Sequence, residues 1–206
     1  MKHIFGLTFQ KFFFKLFPKD KLEINGFLDS ILDLEYIVIK EEVPYSSNFP
    51  LNYPIGKDLD LITTDRQFEV LARRIEDFAD NYPQFNVVKL HSTDNLKLRF
   101  LFFGHLHYQI DLSCSQDYLN RSLIERSIIN RCKKKNYYVP EMKFELVYRL
   151  VNYYKNQNKK HHATYIEKNI DYFDENLIDN EDLIDFYYKH FVLDNNKMKR
   201  GNKNAI

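Results

Sequence analysis

Three aspartates carry the chemistry this sequence could perform. Asp58 and Asp60 stand one residue apart in "GKDLDLI", and Asp111 stands in "YQIDLS". Apolar neighbours place each acid inside what reads as a β-strand. An ionised carboxylate is costly to desolvate there unless a cation, a basic side chain or water meets it. Side chains two apart on a strand project to one face, so Asp58 and Asp60 point together. With Asp111 on a neighbouring strand, three carboxylates can converge at one edge of a sheet. Such a set suits Mg²⁺ or Mn²⁺, hard ions that take oxygen ligands and share them with phosphates. Two ions ~3.5–4 Å apart would clamp the attacking and leaving oxygens of an in-line phosphoryl displacement.

The elements that must hold these acids can be read along the chain. Residues 1–21 form an amphipathic N-terminal segment. Phe5, Phe9, Phe12 and Leu16 recur at helical spacing, and Pro18 ends the pattern. A Phe stripe is ordinarily packing surface. With lysines at 2, 11, 15, 19 and 21, residues 4–17 are also the candidate for peripheral contact with an anionic membrane. Residues 22–115 read as an α/β core. A helix at 22–34 and a strand at 35–43 precede a loop at 44–56, where Pro50 and Pro54 forbid helix or central strand. The strand of Asp58 and Asp60 follows, then a helix at 66–81 with Asp65 as N-cap and Phe68, Leu71, Ile75 and Phe78 on its apolar face. Strands at 86–92 and 96–103 lead through a Gly104-His105 turn into 106–114, a β-hairpin carrying Asp111. Residues 116–193 read as helices at 117–135, 141–157, 161–173 and 180–193, and 194–206 as a disordered basic tail. The fold class expected is α+β: a small mixed sheet flanked by helices, with a C-terminal helical bundle.

Composition narrows the function classes. The chain has 206 residues, 44% hydrophobic and 29% charged, an ordinary globular balance. A net charge of +1 gives no general basis for binding nucleic acid, which is not expected as a partner. Two cysteines, Cys114 and Cys132, make no disulfide framework, so a cytoplasmic location is expected, with membrane contact at its inner face if the N-terminal stripe is used that way. No apolar run approaches the ~20 residues that span a bilayer.

The order of these elements resembles the nucleotidyltransferase superfamily, the polymerase-β-like enzymes, over residues 35–155. "GKDLDLI" matches its apolar-Asp-apolar-Asp-apolar strand and "YQIDLS" its later strand with a third acid. Within the superfamily the chain looks most like nucleotidyltransferase-like proteins of bacterial surface-polysaccharide gene clusters. The resemblance implies Mg²⁺ (or Mn²⁺) held by Asp58, Asp60 and Asp111, an NTP as substrate, and a small acceptor such as a sugar or phosphorylated alcohol. Lys40, Lys57 and Arg99 would then neutralise phosphate charge. Ser46 and Ser47 stand where the family's Gly-Ser turn would cradle the triphosphate, without its glycine.

Two other functions fit parts of the sequence. A binding or antitoxin-like module that keeps the fold without turnover fits the missing Gly-Ser. An Asp-x-Asp glycosyltransferase fits the acid pair, but it needs a nucleotide-binding α/β unit of ~100 residues before the acids, and only 57 residues precede Asp58. His105 and His107 are expected to be exposed hairpin residues and His161-His162 a solvated helix end. "KKKN" at 133–136 reads as a helix terminus, and Tyr148, Tyr153 and Tyr154 as bundle packing.

Overall fold

The computed structural model describes residues 2–17, 22–40, 56–134 and 136–193, with backbone alone for 2–7 and 57. Ser46, Ser47, the rest of the 44–55 loop and the 194–206 tail lie outside the described residues. The chain divides into two compact units, Met1–Ser115 with Ile128–Pro140, and Gln116–Ser127 with Glu141–Ile206.

The first unit is built on a mixed five-stranded sheet, so the α+β class holds. In chain order it contains α1 (Lys2–Leu16), α2 (Ile24–Ser30), β1 (Tyr36–Ile39), β2 (Lys57–Thr63), α3 (Asp65–Asp80), β3 (Asn86–His91), β4 (Asn95–Phe102) and β5 (His105–Ser113). The strands lie in the order β1-β2-β5-β4-β3; β2 and β5 run parallel and the other neighbours antiparallel. Period-two alternation sends Leu59 and Leu61 of β2, Leu96, Leu98 and Phe100 of β4, and Tyr108, Ile110 and Leu112 of β5 into one core with Phe68, Leu71 and Ile75 of α3. Each such side chain contributes roughly 1.5–3 kcal/mol of burial. What alternates with them on β2 and β5 therefore goes to the opposite face, and that is where the acids sit.

Several local expectations are corrected. α2 covers seven residues rather than the whole of 22–34, because Gly26, Asp29 and Ser30 are weak helix formers and the Ser30 hydroxyl donates back to the Phe27 carbonyl (2.6 Å). Thr64, in extended conformation, is the N-cap of α3; Asp65 is its first helical residue, where a carboxylate meets the positive end of the helix dipole. The 117–135 helix is only α4 (Arg121–Ile129), started by Asn120, whose Oδ1 accepts from the Ser122 N–H. The following residues form a small ribbon, β6 (Cys132–Lys133) paired with β7 (Tyr138–Val139), turned where Lys134 N–H donates to the Tyr137 carbonyl. Aromatic and β-branched residues at 137–139 favour that strand, and Tyr137 and Val139 are buried in the core of the first unit. The lysines near 133 thus mark a hairpin rather than a helix end.

The second unit holds α5 (Met142–Lys155), α6 (Lys160–Lys168) and α7 (Glu181–Tyr187). The π-helical turn Tyr188–Leu193 continues α7, and Asn180 caps it by accepting from Leu183 N–H (2.9 Å). α5 is buried from Phe144 to Val151, and Glu145 and Arg149 pair inside it at 2.7 Å. His161 is exposed but His162 is buried on α6 beside Ala163 and Ile166, so the pair is not simply a solvated end. The spacing of one residue moves it by about 100° around a helix. Tyr148 and Tyr153 are buried.

The β4–β5 hairpin turns on Phe103 and Gly104, not on Gly104 and His105. Both residues have positive φ, +49° and +75°, as a two-residue type I′ turn requires. For Gly104 that costs nothing special; for Phe103 it costs about 1 kcal/mol. Phe103→Asn is accordingly expected to raise the unfolding free energy by about 1 kcal/mol in chemical denaturation, and a loss of stability would mean that its ring contacts outweigh the backbone strain.

A second irregularity follows at once. Phe102 pairs with His105 and Leu101 with Leu106, but Phe100 pairs with Tyr108, leaving His107 as the extra residue of a β-bulge. His107 is fully buried rather than exposed. The bulge turns its ring inward against Phe14 and Phe85 (centroids 4.5 and 4.6 Å), where Nδ1 lies 2.7 Å from Gln10 Oε1 of α1.

Candidate metal centre

The parallel β2–β5 register sets Asp58 opposite Gln109 and Asp60 opposite Asp111. Across the hairpin, β4 sets Lys97 opposite Asp111 and Arg99 opposite Gln109. Two charged or polar rungs therefore run across three strands, on the face turned away from α3. One carboxylate oxygen each from Asp58, Asp60 and Asp111 lie within 4.8 Å of one another, and all three residues are half-buried. Like charges at that range repel one another unless something intervenes.

The chain supplies part of the compensation. Lys40 Nζ lies 2.7 Å from Asp60 Oδ2. Strict alternation beyond Val38 would send Lys40 to the core face; its backbone instead turns left-handed at φ +59°, which breaks the strand and re-aims the side chain. Lys40, expected to face phosphate, is thus an ion-pair partner of the cluster. Even so, burial pushes the Asp60 carboxyl up to about 6, against the opposing pull of Lys40, with Asp58 and Asp111 adding to the rise. Desolvation here outweighs the ion pair.

Asp111 is held from one side only. Its Oδ2 accepts from Gln109 Nε2 (2.8 Å) and lies 3.5 Å from Lys97 Nζ, while its buried Oδ1 has no hydrogen-bond partner. Burial raises its pKa, with Lys97 and Gln109 acting the other way. Arg99, expected to neutralise phosphate, donates from Nε to Gln109 Oε1 at 2.9 Å and reaches Asp111 only through that amide. The side chain of Lys57, with Ser46 and Ser47, lies outside the described residues.

Gln109 and Lys97 belong to the cluster and were not among the residues singled out from sequence. Gln109 had a signal, since it stands two residues before Asp111 on the same strand face. Lys97 had none, because its place opposite Asp111 depends on the bulge. The residues fit a hard divalent cation on two grounds: every converging ligand is a carboxylate oxygen, and Asp111 Oδ1 is buried with nothing to accept from. If Gln109 orients Asp111 for such an ion, Gln109→Leu should weaken Mn²⁺ binding by about 10–100-fold in calorimetric titration. Unchanged affinity would remove Gln109 from the site.

No protein-family model matches the chain, and no curated protein matches it significantly.

Proposed function

We propose that the protein is a metal-dependent nucleotidyltransferase, moving a nucleoside monophosphate from an NTP to the hydroxyl of a small acceptor such as a sugar or phosphorylated alcohol. The observation that carries this reading is the convergence of Asp58, Asp60 and Asp111 from two adjacent parallel strands, with one Asp111 oxygen buried and unmatched. The mixed sheet, with the acid pair on one strand and the third acid on its parallel neighbour, supports this reading.

In the proposed reaction the acceptor oxygen forms a bond to the α-phosphorus, the bond from that phosphorus to the bridging oxygen breaks, and pyrophosphate leaves. The hydroxyl proton passes to solvent. Asp58, Asp60 and Asp111 would hold one or two Mg²⁺ ions, which lower the pKa of the acceptor hydroxyl and offset charge on the phosphates. The chain's own residues do the positioning. Gln109 and Lys97 fix Asp111 through Oδ2, and its buried Oδ1 is left without a hydrogen-bond partner. Lys40 holds Asp60, and Arg99 steadies Gln109. Lys40 and Lys97 also place positive charge beside the site, where a triphosphate would gain from it.

The test is thermal unfolding with Mn²⁺ and each NTP. Ligand at about a hundredfold its Kd should raise Tm by about 5–10 °C, and Asp58→Ala should abolish the shift. No shift with any NTP would favour the second reading, a non-catalytic module on the same fold. One observation supports that alternative: Lys40 already meets Asp60, and Lys97 meets Asp111.

A further inference from the structure

We propose that the ridge formed by α1 and the tip of the β4–β5 hairpin is a docking surface for an anionic lipid bilayer. It is independent of the metal-site reading. Phe12, Leu16 and Phe17 of the α1 end and Phe103 of the turn are at least half exposed, and Phe9 is 40% exposed. They form one apolar ridge: Phe103 meets Phe9 edge-on at 5.8 Å, and Phe9 and Phe17 both contact Phe13.

The helix divides its apolar residues between two jobs. At about 100° per residue, Phe9, Phe12 and Leu16 share an arc of roughly 60°. Phe14 and Gln10, on another arc, are buried against Phe85 and His107. Phe14 and Gln10 seat the helix on the core, while Phe12 and Leu16 stay 62% and 57% exposed. Exposed aromatic ridges of this kind mark an interaction surface.

Charge decides which partner it suits. α1 contains no acidic residue, and the exposed Lys15 and Lys11 stand about 60° and 100° around the helix from Phe12, on one side of the outward aromatic arc. A protein partner would ordinarily be met by a mixed polar rim. Aromatic side chains backed by lysines and free of acids match the boundary of a bilayer with anionic headgroups, where rings enter the acyl edge and ammonium groups stay among phosphates. The hairpin tip gives an independent sign. Phe103 takes a left-handed conformation that Asn or Gly would adopt with less strain, and spends it on holding an aromatic ring 73% exposed beside Phe9.

The experiment is co-sedimentation of the full chain with vesicles of phosphatidylcholine alone or mixed with phosphatidylglycerol, in EDTA and at two salt concentrations. Binding should require phosphatidylglycerol and weaken with salt. Phe12→Ser and Phe103→Asn should each reduce it by about tenfold. Lys11→Ala with Lys15→Ala should reduce it by about the same factor or more. Phe103→Asn is the discriminating variant, since it is expected to make the fold more stable while weakening vesicle binding. The proposal is overturned if the chain pellets with neither vesicle, if neutral and anionic vesicles bind it equally, or if the ridge variants bind like the wild type. It is equally overturned if sedimentation velocity shows a dimer lost in Phe12→Ser while vesicles bind nothing, because a second copy then covers the ridge. Because no metal or nucleotide is present, failure here leaves the nucleotidyltransferase reading untouched, and the converse also holds.

Discussion

Asp58→Ala and Asp111→Asn are each expected to weaken Mn²⁺ binding by about a thousandfold, and to remove the NTP-dependent rise in Tm with it. Affinity of oxygen-ligand sites is set over several decades by how many charged ligands converge and how rigidly they are held. Among the described residues three carboxylates converge, and each comes from a strand paired on both sides, so losing one removes a third of that anionic set. Asp111→Asn is the sharper test. It keeps the shape of the side chain and its place beside Gln109, but withdraws the charge and the unmatched oxygen. Its fold should be intact by circular dichroism. If that variant binds Mn²⁺ as tightly as the wild type, Asp111 is not a ligand and the proposed chemistry loses its centre.

Asp60→Asn separates the cost of the site from its use. In the metal-free protein Asp60 has its carboxyl raised from the ordinary value of 3.8 to about 6. The folded state therefore holds the proton more tightly than the unfolded chain, so stability is greatest below about 4 on this account and is lost as pH rises through about 6. Two pH units of displacement correspond to about 3 kcal/mol. The unfolding free energy of the wild type minus that of Asp60→Asn, measured by denaturant titration in EDTA, should therefore fall by up to about 3 kcal/mol between pH 4 and 7 and then level. Taking the difference between the two proteins cancels the titration of acids that do not interact with Asp60. At pH 8 Asp60→Asn should be the more stable protein without metal and should gain little from Mn²⁺. If instead the wild type gains on the variant as pH rises, the Lys40–Asp60 pair at 2.7 Å is a net structural bond, and the cluster is explained by its lysines.

The two outcomes bear on one physical question. Lys40 reaches Asp60 through a left-handed backbone, and Lys97 stands 3.5 Å from Asp111, yet the burial cost on both acids exceeds what those lysines return. A divalent cation bound there would relieve that burial cost on Asp60 and Asp111.

Much of this protein can be read from residues whose reasons are local. The alternation of "KDLDLIT" decides that Asp58 and Asp60 share a face while Leu59 and Leu61 enter the core, because side chains of a strand alternate whatever surrounds it. The apolar spacing of 68–79 decides α3 in the same way, and the run from Phe144 to Val151 decides α5. Where local preference was divided, the chain needed its neighbours. The 133–139 stretch could continue a helix or form a ribbon, and burial of Tyr137 and Val139 in the first unit settled it.

Only the tertiary structure could put Asp111 with the other two. An unbulged hairpin turning at Phe103-Gly104 would continue the register of its first pairs and set Asp111 opposite Leu96, on the face that packs against α3. One extra residue, His107, shifts the register, seats itself against Phe14, Phe85 and Gln10, and turns Asp111 to the face of Asp58 and Asp60, opposite Lys97. Alternation has a period of two, so a single inserted residue exchanges the faces of everything beyond it. That exchange is invisible to spacing along one strand, since it is decided by what the bulged ring finds to pack against.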